Sequence, residues 1–123
     1  MGTRAVYTFI DQDQRYSVYK HWDGYPRSAC RFIANALPLA WPLPRFEADE
    51  FAAAFVAANK EEPGNVYLTS GPYAHGDLAY SYEVSCREEQ LHVRITEVGY
   101  EVPDRLLFEG ILEDAHQFAA TLY

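Results

Sequence analysis

A chain of 123 residues, 49% hydrophobic and 23% charged, is long enough to bury one core and fits neither a disordered nor a fibrous class. Its formal net charge is −8, which disfavours direct nucleic-acid binding, since phosphate contact comes with a basic domain. No run approaches the roughly eighteen apolar residues of a membrane span, so a single domain over residues 1–123 is expected, free of the membrane.

The opening "MGTRAVYTF" lacks the basic-then-apolar layout of a secretion leader, and a cytoplasmic location is the expectation. "RAVYTFI" carries apolar residues on both alternating faces, as an interior strand does. After the turn "DQDQ", the β-branched and aromatic run "RYSVYKHW" predicts a second strand and an antiparallel hairpin. "SACRFIANAL" sets Cys30, Ile33, Ala34 and Leu37 at helical spacing. "PLAWPLP" cannot continue that helix, because its prolines lack backbone donors and push their predecessors toward extended backbone.

"EADEFAAAFVAANK" predicts a second helix with Phe51, Phe55 and Ala58 on one face and acidic residues in its first turn. From Asn65 the period returns to two, in "VYLTS", "LAYSYEVSC" and "LHVRITEV", which read as half-buried strands of an antiparallel meander. "RLLFEGIL" reads as a further strand in which Gly110 marks a bulge or an end. "EDAHQFAATLY" closes as a helix with Ala115, Phe118, Ala119 and Leu122 as its apolar stripe. The order ββααββββα predicts an α+β fold, a largely antiparallel sheet with its helices packed on one face.

Charge is unevenly spread. Up to Phe46, six basic residues outnumber three acidic ones for a net of +3, and from Glu47 onward the net is −11. Solubility alone accounts for an acidic surface, and an acidic face aimed at a basic partner, or head-to-tail self-association, is the functional counterpart. Cys30 and Cys86 do not form a short-spaced pair, which excludes a zinc ribbon or a CxxC redox site and leaves two reduced thiols. A nucleophilic Cys30 would need the dipole of a helix start to lower its pKa.

The stretch "HWDGYPR" gathers the most chemistry. Asp23-Gly24 is a turn signal in which glycine supplies positive φ, Pro26 suits a first helical turn, and Trp22 then anchors in the core. Two H-x-D triplets, His21 to Asp23 and His75 to Asp77, would on strands each turn an imidazole and a carboxylate to the same side. His21, Asp23, His75 and Asp77 are thus a candidate metal set for iron, zinc or manganese, against the background that so short a pattern arises by chance. His92 and His116 fall on polar faces. The many tyrosines, Tyr7, Tyr16, Tyr19, Tyr25, Tyr73, Tyr80 and Tyr82 among them, suit an interface or a tyrosine-rich core alike.

The "MGTR" start, a strand, an acidic turn and "HWDGYP" together resemble a group of small uncharacterised proteins of bacteriophages, prophages and bacterial genomes, most firmly up to Leu37. The resemblance brings no established activity. It implies a setting in mobile elements, where short acidic proteins act by binding a host protein or a defence complex. The expectation is a non-enzymatic, cofactor-free protein-binding module that contacts a host or phage protein through His21, Trp22, Asp23, Tyr25, Arg27, Tyr73 and His75. The alternative is a small enzyme or metal-binding domain with its site between the "HWDGYP" corner and the "YAHGD" loop.

Overall fold

Alternation of apolar residues on both faces of "AVYTFI" places that segment at the middle of a sheet, and β1 (Ala5–Ile10) is such a central strand. A computed structural model of the chain describes residues 2–122. After β1 come β2 (Arg15–Lys20), α1 (Pro26–Ala36), one 3-10 turn (Leu37–Leu39), α2 (Ala48–Asn59), β3 (Val66–Thr69), β4 (Tyr80–Arg87), β5 (Gln90–Glu97), β6 (Arg105–Ile111) and α3 (Leu112–Ala120). The protein is α+β with the element order ββααββββα.

The six strands form one sheet in the order β3-β2-β1-β4-β5-β6. Every neighbouring pair is antiparallel except β1 and β4, which run parallel with Tyr7 opposite Tyr82. The meander expected from Asn65 onward therefore holds only for β4, β5 and β6. β3 crosses to the far edge and pairs with β2, because β2 and β4 already occupy both sides of β1.

Side chains of one parity, including Tyr7, Phe9, Val18, Tyr82, Val84, Val93 and Ile95, point into the core with all three helices. Phe51 and Phe55 of α2 reach Phe9, with ring centroids 5.5 and 5.3 Å away, and Phe55 also meets Tyr7 at 4.6 Å. α1 starts at Pro26, where a missing N–H costs nothing, and buries Ala29, Cys30, Ile33 and Ala36, while Ala34 and Leu37 are only half-buried. In α3 Ala115 and Ala119 are buried and Phe118 packs against the core beside Phe108, as the stripe predicts; Leu122, past the helix end, is exposed. The bulge of β6 falls at Leu107, since Ile95 faces Phe108 and Thr96 faces Leu106, and Gly110 instead pairs in register with Val93.

The turns show where local preference was overruled. β4 and β5 are joined by Glu88 and Glu89, both at positive φ (51° and 66°), a two-residue hairpin conformation that favours Asn-Gly. Between β1 and β2, Asp11 accepts hydrogen bonds from the Asp13 and Gln14 amides and, at 2.7 Å, from the Ala48 amide at the start of α2. These backbone donors hold its carboxyl down at about 2.

Candidate functional site

Parity within β2 decides what the "HWDGYP" corner presents. Val18 and Lys20 point to the helices, while Tyr19 points to the opposite face of the sheet, and His21 joins it there. On that uncovered face Tyr19 is buried by its neighbours. His75 stacks flat on its ring, with centroids 4.0 Å apart and planes 7° from parallel, and Tyr67 of β3 meets both rings. The Tyr19 hydroxyl lies 2.8 Å from His21 Nδ1. Asp77 closes the group through an ion pair with Arg4 at 3.1 Å. Tyr73, exposed, donates to Asp104, and burial followed by that carboxylate raises its pKa.

The residues singled out in the sequence therefore split. His21, His75 and Asp77 gather around Tyr19, with Tyr73 in the same loop. Asp23 does not join them, because β2 ends at Lys20 and Asp23 turns the chain at φ 60°, so the same-side rule for strand residues does not reach it. Among the described residues no three His, Cys, Asp or Glu side chains come close enough to hold a metal ion. Arg27 and Tyr25 are exposed at the start of α1, away from the core. Trp22 is half-buried rather than a core anchor; its ring meets His21 edge-on, and Gly2 lies so close that a Cβ there would fall 2.5 Å from the indole.

Positive φ at the corner belongs to Asp23, which leaves Gly24 a different task. Gly24 is buried against β1, where an added Cβ would lie 2.7 Å from both Ala5 Cβ and the Thr3 carbonyl oxygen. Its amide donates to that same Thr3 oxygen and its carbonyl accepts from the buried Tyr82 hydroxyl. Cys30 is buried in the core, and burial pushes its thiol up to about 11, the opposite of an activated nucleophile. His92 is half-buried, with its pKa lowered by burial and by Arg87, and His116 is exposed.

A second feature of the corner escaped the sequence. Lys20 is 3% exposed, and its ammonium donates to the Trp22 carbonyl oxygen at 2.9 Å and to Asn65 Oδ1 at 3.1 Å, with the Phe32 ring centroid 4.1 Å away. Asn59, also buried, donates to the Phe32 and Phe55 carbonyls and so ties α1 to α2. These groups line a cleft of about 410 Å³ between the corner and the ends of α1 and α2. Burial lowers the Lys20 pKa.

Exposed large apolar side chains are scattered over the surface, from Leu39 and Trp41 to Tyr100, Val102 and Leu106, and two of them lie on the outer strand β3. Leu68 is 80% and Tyr67 46% exposed on the outer strand β3. The strand positions that face away from the helices carry Arg15, Arg87 and Arg94 against Glu83 and Glu109, so the acidity lies elsewhere. It falls on helix starts, such as Asp49, Glu50, Glu113 and Asp114, where carboxylates complement the helix dipole, and on loops such as Glu61 and Glu62. No helix is long and apolar enough to cross a membrane among the described residues. No family model matches this chain, and no curated protein or solved structure matches it.

Proposed function

We propose that this is a non-enzymatic protein-binding module of phage or prophage type, acting in the cytoplasm on a host protein of a defence system, and that it takes its partner on the β3 edge and the adjoining aromatic face. The observation that carries the reading is the state of β3. An outer strand offers a row of N–H and C=O groups to a further strand, and proteins guard such edges with short strands, lysine, proline or burial; β3 has only its four-residue length as a guard. "VYLT" has no charge and no proline, and it leaves Leu68 and Tyr67 exposed on opposite sides. An added strand would place alternate side chains against Leu68 and against the Tyr67–His75 rings, the arrangement by which strand addition gains both affinity and selectivity.

Glu61 and Glu62 precede β3 in the chain, and a partner segment with a basic residue at that end suits them. The phage setting rests on the resemblance carried by the "MGTR" start and the "HWDGYP" corner.

Capture from bacterial lysate by the tagged protein, compared with Leu68→Asp and Tyr67→Ala, tests the reading. Leu68 is 80% exposed, so the Leu68→Asp melt should change little, whereas Tyr67→Ala, which removes a ring packed on Tyr19, should melt somewhat lower; both should lose the captured partner, whose retention by the parent should fall with salt. Undiminished capture by both variants overturns the proposal.

A further inference from the structure

We propose that the cleft above Lys20 is a binding site for a small zwitterion, an α-amino acid or its close analogue, whose carboxylate meets the Lys20 ammonium and whose ammonium meets the acidic rim. The cleft lies on the helix side of β2, away from the Tyr19–His75 ring stack of the other face, and it shares Glu61 and Glu62 with the approach to β3. A lysine with 3% of its surface exposed has given up its water, and the usual compensation is a carboxylate in contact. Lys20 has none. Its partners are two neutral carbonyl oxygens and an aromatic ring, and it takes part in no ion pair among the described residues. Asp23 and Glu61 act on it only at longer range.

A buried ammonium that lines a cleft of about 410 Å³ with no side-chain carboxylate in contact is a floor for an anion. The walls narrow the choice of anion. Glu61, Glu62 and Asp23 border the same cleft beside Arg31, so a phosphate or other polyanion would be repelled at the rim, whereas a monoanion with its own positive group is matched at both ends. Phe32 and Trp22 supply the apolar sides that such pockets use to exclude water. The volume accommodates a ligand of amino-acid size.

Glycine, acetate and methylamine, each added at millimolar concentration to the purified chain, separate the parts of this claim by thermal shift and calorimetric titration. Glycine should raise the melting temperature by mass action, acetate less, and methylamine not at all. Lys20→Met should abolish the glycine effect, whereas Lys60→Met, which alters the one other lysine, an exposed one, should leave it intact. Should Lys20→Met fail to fold, the variant carrying Glu61→Gln and Glu62→Gln, both exposed in the parent, should weaken glycine roughly tenfold while acetate binds no more weakly than before. No stabilisation by glycine, or a glycine response that persists in Lys20→Met or is unaltered in the double variant, overturns the proposal.

Discussion

Substitution of Gly24 by alanine distinguishes the two tasks a glycine can have in a turn. If Gly24 were there for positive φ, the penalty would be a backbone penalty. It is instead a contact penalty, because the positive φ of 60° belongs to Asp23. The added Cβ would stand 2.7 Å from Ala5 Cβ and from the Thr3 carbonyl oxygen, about 1 Å inside the usual carbon contact distance. Neither neighbour is the free end of a long side chain; Ala5 opens the central strand. Overpacking of this kind costs roughly 1–3 kcal/mol. With an unfolding entropy of about 2.1 cal/mol/K per residue, a chain of 123 residues should lose about 4–12 °C of melting temperature. Asp23→Gly should behave oppositely: relief of the left-handed backbone, about 1–2 kcal/mol, roughly offsets the extra unfolded-state entropy of glycine, and the melt should hold or rise slightly. Differential scanning calorimetry of both variants measures this. A Gly24→Ala melt within about 2 °C of the parent, or an Asp23→Gly loss as large as that of Gly24→Ala, would refute the close-packing argument.

Four further outcomes follow from the geometry. Replacing Glu88 and Glu89 by Asn and Gly should stabilise the chain by about 1–2 kcal/mol in chemical denaturation, since both sit at positive φ. Tyr7→Phe should be neutral or gain about 1 kcal/mol in the same assay, because the buried Tyr7 hydroxyl has no hydrogen-bond partner among the described residues. Asp11, whose folded pKa is lowered to about 2 from 3.8, contributes stability above pH 4 that is lost as pH falls toward 2. Asp11→Asn should therefore melt lower than the parent at neutral pH and converge with it in acid. For Lys20 the folded pKa is lowered, so the unfolded chain binds more protons at alkaline pH; stability should rise with pH through that window in the parent and not in Lys20→Met, as urea midpoints at successive pH values would show.

Fold class and element order were legible because hydrophobic period reports which face of a segment is buried. "AVYTFI", apolar on both faces, declared its central place, and the strict alternation of "LHVRITEV" matched β5, where Leu91, Val93 and Ile95 are buried. Period does not report which strand is the neighbour. That β3 joins β2 at the far edge and that β4 runs parallel to β1 are matters of long-range pairing, which no local pattern encodes. The H-x-D reading failed for a similar reason: same-side geometry at i and i+2 requires that the strand continue, and β2 stops at Lys20. Lysine normally lies outside, so the cleft was hidden by composition. One signal for it existed, since Lys20 shares the parity of Val18 and must point toward the helices if Val18 does.

The same parity argument bears on why this corner carries so many constrained residues. Adjacent positions of β2 serve different sides of the sheet: Tyr19 and His21 build the ring stack next to the β3 edge, while Lys20 builds the cleft under α1. Two faces can be held in a fixed relation only if the chain between them is rigid. The turn at Asp23, the close seat of Gly24 on β1 and the hydrogen bond from the Tyr82 hydroxyl to the Gly24 carbonyl supply that rigidity. A ligand in the cleft that shifted the Trp22 carbonyl, which Lys20 holds, would act one residue away from His21 and hence on the Tyr19 stack. The corner is thus a turn that joins two faces of the sheet; if both proposed sites are coupled through it, adding glycine should change partner affinity by the same factor as adding the partner changes glycine affinity.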